Sequence, residues 1–150
     1  MMKRNNNVIT ICSSVSFYRD VLVIEGEFKK LGFKAMIPQT ANKMKKTGNF
    51  SVDAHKTWLK DKRDYKKKTK FMNDHFKKVI EADAILVVNN KKNGIEGYIG
   101  GNTLMEMTLA YYFKKKIFIW NEIGSKLSIE EEVRGLNPIF IKQDLLRINI

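Results

Sequence analysis

The chain has 150 residues, 43% of them hydrophobic, and a formal net charge of +12 at pH 7. This length and apolar content predict one globular domain, residues 1–150, that buries a core without metal or disulfide support, and they exclude a disordered chain. Cys12 is the only cysteine, which excludes an internal disulfide and any metal site built from several cysteines.

The positive charge has more than one explanation. A basic protein can bind nucleic acid, an anionic membrane surface or a phosphorylated small molecule. Lysine greatly outnumbers arginine here, and asparagine and isoleucine are plentiful, which a biased genome composition also produces. Because nucleic-acid readers favour the arginine fork, which pairs with guanine edges, we favour a solvated basic surface and keep nucleic-acid binding as an alternative.

No membrane-spanning or export segment is evident in the sequence. No apolar run reaches the roughly 18 residues of a transmembrane helix, and residues 1–7 lead into a short strand-like run, not into a signal-peptide core. We therefore expect a cytoplasmic protein without a membrane partner.

Short apolar runs that alternate with helical patterns predict the fold. The predicted strands are residues 8–12, 33–38, 84–88, 117–120 and 138–141. The predicted helices are residues 17–31, 72–81 and 103–114, and a short one over 128–135. Because the strands are apolar throughout, we expect a parallel sheet covered on both faces. This is a doubly wound α/β fold, flavodoxin-like or Rossmann-like, with five strands in the order 2-1-3-4-5.

Residues 39–70 do not fit this alternation. The segment is longer than an ordinary connection and combines a dense lysine load with scattered aromatic residues. We expect a helical insertion after the second strand, and two interpretations remain open. It is either a lid or binding element, in which lysines such as Lys66, Lys67 and Lys68 attract a phosphate-bearing ligand, or a solvated hairpin that its aromatic residues attach to the core.

Two loops are expected to form the ligand site, because doubly wound sheets bind ligands where the winding reverses, beyond the carboxyl ends of the strands. The loop after the first strand offers hydroxyls and free amides ahead of a helix, which suits a phosphate, although its serines are equally good N-caps. The loop after the third strand is neither a GxGxxG fingerprint nor a Walker A motif, but its glycines let backbone approach a ligand closely. The candidate binding residues are Cys12, Ser13, Ser14, Phe17, Asn89, Gly97, Tyr98, Gly100, Gly101 and Asn102.

Glu106 stands among apolar residues and has two interpretations. In the first, Thr103 begins a helix and Glu106 reaches back to it as the acid of a capping box. In the second, Glu106 heads an apolar stripe with Leu109, Ala110 and Phe113, so that its carboxylate is partly desolvated at the ligand site. Carboxylates in that setting belong to a functional network or act chemically.

Residues 82–119, "ADAILVVNNKKNGIEGYIGGNTLMEMTLAYYFKKKIFI", resemble the core of the nucleoside 2-deoxyribosyltransferase-like superfamily. The shared features are a strand after Ala-Asp, a glycine loop and a helix that opens with a glutamate. Residues 9–20, "ITICSSVSFYRD", are similar to the family's first strand and ligand loop. The resemblance covers most of residues 8–120 except the basic insertion.

This resemblance implies a nucleoside or nucleoside 5′-phosphate N-glycosidase or 2-deoxyribosyltransferase, with no cofactor and no metal. Glu106 would attack the anomeric carbon, and a donor would protonate the departing base. Family members often carry an aspartate where this chain has His75, so His75 or the adjacent Asp74 is the candidate donor. Asp83 is expected to be structural. Many relatives complete their site with a neighbouring subunit, which implies a homo-oligomer.

Other functions remain open at this point. The run "GGNTLME" is also similar to the loop of nucleoside-monophosphate phosphoribohydrolases, which again implies cleavage of an N-glycosidic bond. A non-catalytic nucleotide-binding or sensing domain is the main alternative, and a nucleic-acid-binding protein that uses the basic residues 43–78 is the third.

Overall fold

The computed structural model describes residues 7–150. Within them, one parallel sheet has the order β2-β1-β3-β4-β5, with β1 (Val8–Ser13), β2 (Lys34–Met36), β3 (Ala84–Val88), β4 (Lys116–Ile119) and β5 (Ile139–Phe140). The helices are α1 (Tyr18–Lys30), α2 (Gln39–Thr47), α3 (Val52–His55), α4 (Tyr65–Glu81), α5 (Gly101–Tyr112) and α6 (Glu130–Gly135). None of these helices in the described part of the chain is long and apolar enough to cross a membrane. The predicted α/β class and strand order are confirmed.

The sheet separates two hydrophobic cores. Side chains alternate between the faces of a strand, so Leu86 and Val88 of β3 pack with α1 and α2, whereas Ile85 and Val87 pack with α4, α5 and α6. Every residue of β3 is buried, which explains the continuous apolar run in the sequence. Asp83 has the expected structural role, because its carboxylate accepts a 2.7 Å hydrogen bond from the Val8 amide at the start of β1.

Two helices begin earlier than the sequence predicted, and both changes affect the ligand site. Helix α4 begins at Tyr65, so the end of the insertion forms its first turns. Helix α5 begins at Gly101 after an extended Gly100, whose carbonyl accepts the amide hydrogen of Leu104 at 3.0 Å. Thr103 is therefore a buried residue inside the helix, and the capping box does not form.

The insertion is attached to the domain through aromatic contacts. The buried Trp58 packs on Phe71 of α4 with 5.9 Å between ring centroids, and the Arg19 guanidinium of α1 lies 4.0 Å from the centre of the Phe50 ring. His55 is also buried and contacts the Asn49 carbonyl at 2.8 Å. The contacts of Trp58 and Phe50 hold residues 39–70 against the carboxyl-terminal edge of the sheet, where they form part of the wall of a cavity.

Candidate functional site

A cavity of about 210 Å³ lies at the carboxyl ends of β1 and β3. The loops that follow these two strands line it, as the winding of the sheet predicts. The N-terminal ends of α2 and α5, one face of α4 and the residues after α3 complete its walls. The order of the strands thus brings together segments that are far apart in the sequence.

Glu106 lies in this cavity and is only 2% exposed. Its Oε1 accepts a 2.8 Å hydrogen bond from Asn102 Nδ2 one turn earlier on α5, whereas its Oε2 has no hydrogen-bond partner among the described residues. Burial raises the pKa of Glu106 to about 8, and the nearby Cys12 thiol and Lys68 ammonium act in the opposite direction. The desolvated position that the apolar residues after Glu106 predicted for its carboxylate is therefore present.

His75 of α4 faces the same carboxylate. Its Nε2 lies 3.8 Å from Glu106 Oε2, and neither ring nitrogen has a hydrogen-bond partner within residues 7–150. Burial lowers the pKa of His75 to about 4, and the positive charge of Lys78 adds to this effect. From about pH 4 to about pH 8 the two side chains together hold one proton.

Cys12 completes a buried cluster with these two residues. One ligand atom from each of Cys12, His75 and Glu106 lies within 4.8 Å of the others, a mixture of sulfur, nitrogen and oxygen that zinc accepts in proteins. Burial and then the Glu106 carboxylate raise the pKa of the Cys12 thiol well above its usual range, so this cysteine is a poor nucleophile. The sequence predicted all three as site residues with separate roles, but not their contact, because they come from β1, α4 and α5.

Three lysine side chains also line the cavity. Lys68 Nζ donates to Asn102 Oδ1 and Lys92 Nζ donates to Ser14 Oγ, each at 3.0 Å. Burial lowers the pKa of Lys56, and the charges of Lys68 and Lys92 lower it further. Of Lys66, Lys67 and Lys68, which the sequence suggested for ligand capture, only Lys68 lines the cavity. Its neighbours Lys66 and Lys67 are exposed.

Most of the candidate binding residues lie in the cavity wall. Those that line it are Ser13, Ser14, Tyr98, Gly100, Gly101 and Asn102. Phe17 does not line it, because a 3-10 turn over Val15–Phe17 directs this ring into the core between the sheet and α1. Asp74 also lies outside the cavity and forms a 3.1 Å ion pair with Lys78.

Asn89 and Gly97 lie behind the cavity wall and hold the loop together. Asn89 Nδ2 donates to the carbonyls of Gly97 and Asn121, and its Oδ1 accepts the Asn121 amide hydrogen at 2.8 Å. Gly97 has a φ of +66°, and a Cβ atom there would collide with the carbonyl oxygen of Glu122. These two residues shape the site without lining it.

The structure is thus an α/β fold with a cavity at the point where its sheet reverses its winding. The chain matches no protein-family model and no curated protein.

Proposed function

We propose that this protein cleaves the N-glycosidic bond of a nucleoside or nucleoside 5′-phosphate, with Glu106 as the nucleophile. The observation that carries the proposal is a buried carboxylate with an unpartnered oxygen, beside a buried histidine in a cavity where such sheets bind ligands. A close carboxylate stabilises the oxocarbenium-like state of glycoside cleavage and traps it as an ester. The resemblance of residues 82–119 supports the same chemistry.

The single proton of the Glu106–His75 pair suits this reaction. The nucleophile must be ionised, and the departing base must receive a proton. In the unliganded protein this proton rests on Glu106, because the pKa of Glu106 is raised and that of His75 is lowered. The proposed reaction therefore requires that the proton pass to His75, which leaves Glu106 negatively charged and His75 as the acid. Asn102 holds Oε1, which leaves Oε2 free to react.

The reaction proceeds in two steps. Oε2 of Glu106 forms a bond to the anomeric carbon while the bond from that carbon to the base nitrogen breaks, and its electron pair leaves with the base. His75 gives its proton to the base, and the sugar remains as an ester of Glu106. Water or the nitrogen of a second base then attacks the anomeric carbon, restores the carboxylate and returns a proton to His75. Water makes the protein a hydrolase, and a second base makes it a transferase.

Replacing Glu106 by glutamine tests the proposal. The amide keeps the shape of the side chain and an oxygen for Asn102, but it cannot attack carbon. We expect base release to fall by at least ~10³-fold. The melting temperature should not fall, since the variant buries no ionisable group at this position. Base release is measured by chromatography over a panel of nucleosides and their 5′-monophosphates.

Glu96→Gln is the matched control, because Glu96 is an exposed glutamate that pairs with Lys91 in the loop after β3, outside the cavity. A Glu106→Gln protein that releases base at the wild-type rate would exclude Glu106 as the nucleophile.

A second function is favoured by the raised pKa of Glu106. A neutral carboxyl group can donate a hydrogen bond to a bound base, so the cavity also suits a nucleotide sensor without turnover. A wild-type protein that nucleotides stabilise against melting, but that releases no base from any of them, would have this function.

A further inference from the structure

We infer that Lys56, Lys68 and Lys92 form a phosphate subsite, so that the substrate is a nucleoside 5′-phosphate in preference to the free nucleoside. The inference extends the proposed function and rests on it in one respect, namely that the rest of the ligand is a nucleoside. The phosphate part rests on the lysines themselves.

The three lysines reach one cavity from three separate segments of the chain. Lys56 follows α3, Lys68 lies on α4, and Lys92 belongs to the loop after β3. Two of them come from the insertion, for which the resemblance offered no function. Because two of the lysines that meet at the cavity belong to residues 39–70, the subsite gives this segment a function.

None of the three lysines forms an ion pair with a carboxylate within the described residues 7–150. Their contacts are to neutral groups. The Lys68 ammonium lies 5.7 Å from the centre of the Trp58 ring, and that of Lys92 lies 5.0 Å from the centre of the Tyr98 ring. The lysines elsewhere on the surface that pair with Asp or Glu differ from them in this respect. The positive charge at the cavity is therefore available to a ligand.

This arrangement is unfavourable without an anion. Burial lowers the pKa of Lys68, and burial together with the other two lysines lowers the pKa of Lys56. Both shifts mean that the ammonium groups are partly removed from water at a cost in free energy, and the shift of Lys56 also reflects the like charges of Lys68 and Lys92 close to it. The negative charge of Glu106 acts in the opposite direction on Lys68. A phosphate monoester is dianionic near neutral pH and accepts several charge-assisted hydrogen bonds, so its binding would remove that cost.

Backbone amides add to the same wall. The first residues of α2, Gln39 and Thr40, and those of α5, Gly101 and Asn102, line the cavity, and neither helix has a side-chain cap. The free amides of a helix N-terminus and its dipole favour an anion. The lysines and the two helix ends thus point to the same kind of ligand group.

The subsite is connected to Glu106. Lys68 donates to Asn102 Oδ1 at 3.0 Å, and Asn102 donates to Glu106 Oε1 at 2.8 Å. The 5′-phosphate and the anomeric carbon belong to the same sugar, so one ligand can contact both ends of this chain of hydrogen bonds. A phosphate at the lysines would then hold the anomeric carbon at the carboxylate.

The test is equilibrium binding by titration calorimetry with three probes, which are a nucleoside, its 5′-monophosphate and inorganic phosphate. The wild-type protein should bind the monophosphate more tightly than either of the others. Lys56→Gln, Lys68→Gln and Lys92→Gln should each weaken monophosphate binding by about 10-fold or more, and nucleoside binding by less than about twofold.

The matched controls are Lys60→Gln, Lys66→Gln and Lys70→Gln, which remove the same charge from exposed positions outside the cavity. They should change binding by less than about twofold at physiological ionic strength, where charge interactions are screened over about 8 Å. Circular dichroism confirms that every variant is folded. Equal effects of cavity and control lysines would overturn the subsite, as would equal affinity for the nucleoside and its monophosphate.

Two further outcomes separate this inference from the proposed function. Lysine-dependent binding of the monophosphate without release of base would support the subsite and overturn the N-glycosidase. Release of base from free nucleosides at a rate that the three lysines do not affect would support the N-glycosidase and overturn the subsite. Inorganic phosphate that binds better than the monophosphate would overturn the assigned substrate class.

Discussion

The two walls of the cavity hold charge in opposite ways. On the sheet side, Glu106 and His75 are buried, and near neutral pH Glu106 is protonated and His75 is neutral, so their net charge is close to zero. On the insertion side, Lys56 and Lys68 are half-buried and remain without an acidic partner among the described residues. The first wall responds to pH, whereas the second offers positive charge to a ligand, which separates a region suited to chemistry from a region suited to capture.

After the Glu106→Gln variant, the largest effect within this comparison is expected from His75. His75→Gln removes the proposed acid, and we expect base release to fall by about 10²-fold or more. The loss should be greatest for nucleosides whose base is the poorest leaving group, because these depend most on proton donation.

Asp74→Asn is the control for His75, since Asp74 is the adjacent residue but lies outside the cavity. Its rate should stay close to wild type. A large loss in Asp74→Asn together with an active His75→Gln would reverse the assignment of the donor.

The dependence of stability on pH tests the shared proton without any substrate. The pKa of Glu106 is raised from 4.5 to about 8, so this group lowers the unfolding free energy as pH rises through that range, by up to about 1.4 kcal/mol per pH unit. The pKa of His75 is lowered from 6.5 to about 4, so its contribution increases with pH over that range. The two effects oppose each other below pH 6.5, which leaves a net loss of stability between pH 6.5 and about pH 8.

Urea denaturation of the wild type and Glu106→Gln across this pH range measures the effect. The decline above pH 6.5 should be present in the wild type and absent from the variant. A wild-type curve parallel to that of the variant would mean that Glu106 is ionised in the folded protein throughout.

A smaller change is expected from the loop that carries Lys92. Gly97→Ala places a methyl group against the Glu122 carbonyl at a positive φ, and we expect a loss of about 1–3 kcal/mol of unfolding free energy. Gly94→Ala is a control in the same loop, because Gly94 also has a positive φ but faces open space, and it should lose less. Equal losses would show that the contact with Glu122 does not hold the loop.

The smallest effect is expected from lysines that face solvent. Lys66→Gln combined with Lys67→Gln removes two charges near the cavity and should slightly weaken nucleotide binding at low salt, with no effect at high salt. Lys68→Gln should retain its effect at high salt, because its ammonium lines the cavity. Titrations of both variants at several salt concentrations measure this difference. If binding by the two variants depended on salt in the same way, the cavity and surface lysines would not differ in their contribution to binding.

Local patterns in the sequence predicted the sheet and the setting of Glu106. Apolar runs such as residues 84–88 indicated buried parallel strands, and the winding rules for such sheets then gave the strand order and the place of the two loops. The apolar residues after Glu106 indicated a buried face of α5, although Phe113 at the end of this stripe is 44% exposed.

The parts that could not be predicted depend on contacts between elements. Cys12 and His75 meet Glu106 only because α4 and α5 pack on the same face of the sheet, and no spacing in the sequence encodes that contact. For the same reason Lys56 and Lys92 could not be distinguished from the many other lysines, whereas Lys68 was among those suggested for ligand capture. Phe17 was predicted to contact the ligand, because no clear sequence pattern indicates the tight turn that directs its ring into the core.

Because of the hydrogen bonds of Asn89, the loop after β3 loses its conformational entropy when the protein folds and not when a ligand binds. This side chain joins the loop after β3 to the loop after β4 through Gly97 and Asn121, so both loops take up their positions when the protein folds. A ligand that enters the cavity meets Tyr98 and Lys92 already in place and loses little affinity to ordering that side. Folding has preorganised this wall, which favours rapid association because no slow loop rearrangement has to precede the first contact.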